Sequence, residues 1–134
     1  KLTGLMARAC FVDTIDLSAS WERLGILYEA VLKARPEGVL AMGHFAHFEK
    51  GGGCLYVSAA GRRSGPEATR QAHSETWRTL IDAAVAAGAS PNHHHGVGLA
   101  KRPWRAQCLG PRLEAQRRLK AERDPRGILQ PGRL

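Results

Sequence analysis

Two runs of strand-forming residues, Val39 to His47 and Cys54 to Ala60, flank the segment Glu49-Lys-Gly-Gly-Gly53. No other feature restricts the fold so much. Three consecutive glycines tolerate backbone conformations closed to other residues, so the chain can reverse there. Two strands joined by so short a connection pair antiparallel. The first run is apolar at successive positions, which predicts burial on both faces. In the second, regular alternation turns Leu55 and Val57 towards a core and puts Cys54, Tyr56 and Ser58 on the opposite, more polar face.

The flanking segments supply the rest of a small fold. Cys10 to Leu17 is rich in β-branched and aromatic residues and reads as another strand. Ser18 or Ser20 can cap the helix that follows, because a serine oxygen satisfies one of the orphan N–H groups. Trp21, Leu24, Tyr28, Val31 and Leu32 fall on one face of that helix, which Pro36 and Gly38 end. Ser64-Gly-Pro-Glu67 matches a capping box with proline in the first turn. It opens a long helix through Ala72, Leu80, Ile81, Ala84 and Val85 to a C-cap at Gly88. Then come Ser90-Pro-Asn-His-His-His-Gly-Val-Gly98, a basic helix from Pro111 to Arg123 and a Pro/Gly-rich tail. The order strand, helix, strand, strand, helix, short strand, helix is an α+β layout: an antiparallel sheet with helices packed on one face, plus a C-terminal helical tail. At 134 residues and 43% apolar, the chain buries one modest core.

A formal charge of +8 raises nucleic acid as a partner, but ten Lys/Arg against three Asp/Glu from Lys101 onward, a net of +7, concentrate the excess in the last quarter. Only Trp104 accompanies those charges, whereas nucleic-acid binders interleave basic and aromatic residues. The expectation is no nucleic acid, and a basic face that docks on protein or phosphate or is merely solvated. No stretch approaches the roughly 18 apolar residues of a membrane helix. The start, Lys1-Leu-Thr-Gly-Leu-Met, has neither an initiating Met nor the apolar run of a signal peptide, as expected of a piece of something longer. Cys10, Cys54 and Cys108 are odd in number and widely spaced, which fits a reduced, cytoplasmic protein.

Five of the six histidines lie in two clusters, His44/His47 and His93/His94/His95. The sixth, His73, is in the long helix and reads as a surface or packing residue. Imidazoles titrating near neutrality can move protons or bind anions, and Gly96 and Gly98 allow the backbone to turn sharply and approach a ligand closely. Metal binding is a rival reading. Against it, residues 44 and 47 leave a regular strand on opposite faces unless the strand breaks between them. Tyr56, on the polar side of its strand, can donate a hydrogen bond or act as acid or base; an ordinary half-buried strand tyrosine is the plainer alternative.

Together, Val12-Asp-Thr-Ile-Asp-Leu-Ser-Ala-Ser-Trp21, Met42-Gly-His-Phe-Ala-His47, Cys54-Leu-Tyr56, His93-His-His-Gly-Val-Gly98 with Trp104, and Asp124-Pro-Arg-Gly-Ile-Leu-Gln-Pro-Gly-Arg133 resemble the C-terminal region of FAD-linked oxidases of the vanillyl-alcohol-oxidase superfamily. Within it they are most similar to the alkyldihydroxyacetonephosphate synthase family. The resemblance implies that residues 1–110 form part of a ferredoxin-like cap, or substrate, domain over a flavin held by a separate N-terminal domain. It implies that residues 111–134 pack on that FAD-binding domain. Tyr56 matches an essential tyrosine, and His93, His94 and His95 line the site near the reactive flavin nitrogen. His44, His47, Lys101 and Arg102 are then expected to bind substrate, and Gly96, Gly98 and Gln130 to lie on the cofactor side. The synthase reaction exchanges an acyl chain for a fatty alcohol without net oxidation, so the substrate is lipid-like or another small molecule. A homodimer is compatible with the resemblance.

Two departures bear on the branch. Related D-2-hydroxyacid dehydrogenases carry metal-binding histidines and a glutamate where this chain has Tyr56 and His94, which favours the metal-free, synthase-like side and leaves the dehydrogenase as the alternative. The family tail usually has Asn at the position of Gln130. No glycine-rich segment resembles the FAD pyrophosphate loop, so FAD would be held mainly by the missing domain and the fragment alone is expected to be inactive.

Overall fold

The computed structural model describes residues 10–133; the reading of the first six residues lies outside them. The chain forms two compact units, divided between His93 and His94.

In the first unit, β1 (Cys10–Ser20), α1 (Trp21–Ala34), β2 (Val39–Glu49), β3 (Gly52–Arg62) and α2 (Pro66–Ala86) follow in order. β3 is the centre of a three-stranded antiparallel sheet ordered β1-β3-β2: the hairpin pairs one of its edges with β2, and the other pairs with β1. The α+β layout read from the sequence is the one observed. Period-two alternation sorts the strands: Ile15, Leu17, Leu55 and Val57 are fully or almost fully buried and meet Leu24, Leu27 and Val31 of α1 and Leu80, Ile81 and Ala84 of α2. Burying each such side chain stabilises the fold by roughly 1.5–3 kcal/mol. Trp21, assigned above to the apolar helix face, is half exposed, stacks on Phe48 and donates its indole N–H to the Glu49 and Lys50 carbonyls; Leu27 takes the core position.

β2 is not buried on both faces. It is an edge strand whose Leu40 and Met42 are 61% and 59% exposed, as is much of Phe45 and Phe48. The helices cover only one side of the sheet, so a continuous apolar run on its edge leaves half of its side chains uncovered.

Two end signals also resolve differently from the expectation. Ser20 is the N-cap of α1 but caps no helix N–H. Its hydroxyl serves Glu22 instead and holds that carboxyl below its usual range. The capping box at α2 does not form: Gly65 is the N-cap, Pro66 opens the helix as read, and Glu67 pairs with Arg70. Thr69 closes the turn by hydrogen bonding the Arg63 and Gly65 backbone. At the other end Gly88 ends α2 as expected. Its φ of +76° lets Gly88 N–H reach Val85 O and Ala89 N–H reach Ala84 O, a Schellman motif. The expected short strand that follows is a single bridge: Ser90 exchanges both backbone hydrogen bonds with Ser18 on the free edge of β1. His73 is partly exposed, and on the helix-covered side its ring bonds Asp13 at 2.8 Å, alongside the Trp77 indole.

The second unit holds a 3₁₀ turn (Arg102–Trp104), α3 (Arg105–Leu109) and α4 (Arg112–Arg123). Glu114 pairs with Arg118 and Arg117, and Glu122 with Arg123, on an exposed helix. At its end the buried Asp124 carboxylate accepts the Lys120 ammonium and the N–H groups of Ile128 and Leu129, both at 3.0 Å. Lys120, chiefly, holds the Asp124 carboxyl below its ordinary value of 3.8. A carboxyl depressed in the fold contributes stability that is complete above the ordinary value and fades only as pH falls through the lower folded one. At neutral pH, Asp124→Ala should therefore speed amide exchange at Ile128 and Leu129 by about tenfold, the loss expected for hydrogen bonds to a charged acceptor. Unchanged exchange would count against this clamp. Among the described residues no helix is long and apolar enough to cross a membrane.

Candidate active site

The face of the sheet turned away from α1 and α2 gathers the polar residues of all three strands. Register fixes which side chains meet. Asp16 of β1 and His44 of β2 both lie directly across from Tyr56 of β3, and Thr14 lies across from Ser58, their hydroxyls 2.9 Å apart. Cross-strand partners on one face have Cβ atoms about 5 Å apart, so these side chains are immediate neighbours.

A regular β2 would carry His47 to the helix-covered side. Instead the ladder with β3 shifts between Ala46 and Glu49, and His47 has φ +49°. A non-glycine residue in that region costs about 1–3 kcal/mol, and such strain gathers at functional sites. The bulge re-aims His47, as bulges do beside active sites. Its Nε2 comes to 3.0 Å from the Tyr56 hydroxyl. The strand break that would unite His44 and His47 on one face is thus present: both rings flank Tyr56, with centroids 6.1 and 5.9 Å from its own.

His93 completes the group from the loop after α2. The Ser18–Ser90 bridge and the Ser18 hydroxyl, which donates to Asn92 O, tie that loop to β1. Its backbone N–H donates to Asp16 Oδ2 at 2.9 Å, its ring stacks on His47 at 5.5 Å, and its Nε2 is 3.6 Å from the exposed Glu49 carboxylate. Beside it a cavity of about 380 Å³ opens at the hairpin end, lined by Ser18, Ser20, Glu49, Gly51–Gly53, Ser90 and His93.

Burial pushes the Tyr56 phenol above its usual value of 10, with smaller contributions from Cys54 and Asp16. The phenol therefore stays protonated at neutral pH and can donate a hydrogen bond or a proton. The His47 contact works in either tautomer. With Nε2–H donating to the phenol oxygen, any negative charge left on that oxygen is stabilised.

The other residues singled out from the sequence belong to the second unit. The rings of His94 and His95 lie 4.0 Å apart. Gly98 has φ +59° and Gln130 φ +49°, whereas Gly96 has no positive φ among the described residues. Lys101 is buried at the head of the 3₁₀ turn, and Arg102 is exposed. Asp16 and Glu49 went unnoticed in the sequence. The alternation Thr14, Asp16, Ser18 against Ile15 and Leu17 marks Asp16 as sharing the polar face, but nothing local says that it stands across from Tyr56.

The family described as FAD linked oxidases, C-terminal domain, matches residues 2–134. No curated protein matches the chain significantly. Among solved structures, alkyldihydroxyacetonephosphate synthase in a P212121 crystal form superposes with a TM-score of 0.62 at 19% identity, covering 97% of this chain. The same synthase in a P1 form gives 0.59 at 20% identity over 96%. The chain spans about a fifth of those proteins, 21% and 20%. The likeness carries the fold, and the family match covers nearly every residue: this chain belongs to the family of FAD-linked oxidase C-terminal domains.

Proposed function

We propose that this chain is the substrate-side wall of an FAD-dependent enzyme, in which Tyr56 exchanges a proton with substrate and His47 and His93 hold it in position. The observation that carries the reading is the 3.0 Å contact between the Tyr56 hydroxyl and His47 Nε2, made by a strained bulge and backed by the stacked His93 ring. A tyrosine kept protonated, with an imidazole on its oxygen, suits general acid–base work. His44, across from Tyr56, is placed to hold an anionic or polar end of the substrate.

The residues fit a flavin as one wall of its site. Exposed Leu40 and Met42 lie on the same face as His44 and Tyr56, giving an apolar, hydrogen-bonding surface suited to a planar ring. FAD supplies the redox-active, electrophilic ring; this chain's residues orient substrate beside it and move the proton at the Tyr56 oxygen. The FAD-binding domain of the parent polypeptide is the expected neighbour, with residues 111–134 as a docking element whose Leu119, Ile128 and Leu129 are exposed. Similarity to alkyldihydroxyacetonephosphate synthase favours a lipid-like substrate, with a hydroxyacid dehydrogenase as the alternative. The odd number and wide spacing of Cys10, Cys54 and Cys108 fit a reducing, cytoplasmic setting.

The 134-residue chain should purify colourless, because it supplies one wall and no pyrophosphate loop, while the longer parent polypeptide should carry stoichiometric FAD and its visible spectrum. A colourless parent, or a chain that takes up zinc tightly in calorimetry, would favour the metal-binding reading instead.

A further inference from the structure

Asp16 is a buried titratable group that the proposed chemistry leaves without a task. It is 4% exposed, on the central part of β1, directly across from Tyr56. A carboxylate taken out of water needs hydrogen bonds to remain charged, and one of its oxygens receives the His93 backbone N–H at 2.9 Å. This hydrogen bond joins the strand that faces Tyr56 to the backbone of the histidine that stacks on Tyr56's partner.

We infer that Asp16 is a positioning residue, which anchors the His93 backbone and sets its negative charge against the Tyr56 phenol so that the Tyr56–His47–His93 group keeps one geometry and one protonation state. The inference rests on the proposed role of Tyr56. Its physical basis is a pair of separable actions. As a hydrogen-bond acceptor, Asp16 fixes the loop at Asn92–His93, which the Ser18–Ser90 bridge and the Ser18 hydroxyl hold from the other side. As a charge, it disfavours the phenolate, adding to the burial that already raises the Tyr56 pKa. Among the described residues of this unit, Tyr56 is faced by Asp16 from β1, His44 and His47 from β2, Cys54 on its own strand and, through His47, His93.

Two substitutions separate the two actions. Asp16→Asn keeps an acceptor for the His93 N–H and removes the charge, while Asp16→Ala removes both. The chain has two tyrosines, so in a Tyr28→Phe background the ultraviolet absorbance of tyrosinate reports Tyr56 alone. Both Asp16 variants should move its titration midpoint to lower pH. Amide exchange at His93 should stay slow in Asp16→Asn and rise roughly tenfold in Asp16→Ala, the scale of a lost hydrogen bond to a charged acceptor. In the full-length enzyme, Asp16→Asn should shift the alkaline limb of kcat to lower pH and leave KM nearly unchanged, a pattern that a purely structural residue would not produce. An unmoved tyrosine midpoint in Asp16→Asn, or slow His93 exchange in Asp16→Ala, would overturn the assignment. If both chain readouts respond but the parent's kcat profile stays put, the positioning stands and the catalytic role of Tyr56 falls.

Discussion

Replacing Tyr56 by phenylalanine in the full-length enzyme should lower turnover by roughly 10²-fold or more, the usual loss on removing a positioned acid or base, while FAD remains bound. The substitution deletes one oxygen and keeps the ring that lies between His44 and His47. Packing on this face is therefore preserved, and a flavin held, as proposed, by the rest of the parent has no reason to leave. Only the hydroxyl that His47 Nε2 touches at 3.0 Å is lost. The pH dependence has a definite sign. In the proposed role Tyr56 acts while protonated, and burial raises its pKa, so wild-type activity should be flat with respect to this group at neutral pH and fall only above the ordinary tyrosine value of about 10. His95→Ala should also reduce turnover, on the strength of the family resemblance. His73→Ala is the control: its ring bonds Asp13 on the helix-covered side of the sheet, away from Tyr56, so turnover should stay near wild type. Turnover, flavin absorbance and pH profile of the three variants check this, and a Tyr56→Phe enzyme at wild-type rate would defeat the assignment.

The parts of this arrangement that follow from local rules were legible in the sequence. Alternation along β3 separates Leu55 and Val57 from Tyr56 without any knowledge of the neighbouring strands, and the glycine run calls for the hairpin that pairs β2 with β3. What escaped depends on partners distant in sequence. Whether β2 is an edge or an interior strand cannot be read from its own apolar residues, and Leu40 and Met42 were misjudged for that reason. The bulge at His47 has no local signature: the Ala46-His47-Phe48 segment looks like uninterrupted strand, and only pairing with β3 reveals the shift. Asp16 shows the same limit, since its face is readable from period two but its place across from Tyr56 depends on a register set 40 residues later. The capping box failed through competition of another kind. Gly65 and Pro66 start the helix one residue after Ser64, and Thr69 takes over the turn.

Two adjacent glycines that look alike in the sequence should behave oppositely when mutated to alanine. At Gly51 an added Cβ meets nothing within 4 Å, and its φ is not positive. Alanine there should be neutral or stabilise by up to about 1 kcal/mol, through the smaller entropy of the unfolded chain. At Gly52 the Cβ would sit 2.1 Å from Ala19 O and 2.8 Å from Ser20 Cα. Both are backbone atoms, so no rotamer change relieves the contact. Neither can the strands readily part. Ser20 pairs with Gly52 and is also the N-cap of α1, and on the other side Gly52 pairs with Glu49 at the end of the bulge. Moving β1 away drags the start of α1 off the core; moving the hairpin away breaks the ladder that carries His47 to Tyr56. Gly52→Ala should therefore destabilise by about 3 kcal/mol, the upper part of the usual range for overpacking, and lower the melting temperature by about 10 °C in a chain of this size. Thermal unfolding of the two variants followed by circular dichroism tests the difference. Equal melting temperatures would mean that β1 and β3 approach less closely at Ser20 than this structure has them, and that the hairpin is not what holds the His47 bulge in place.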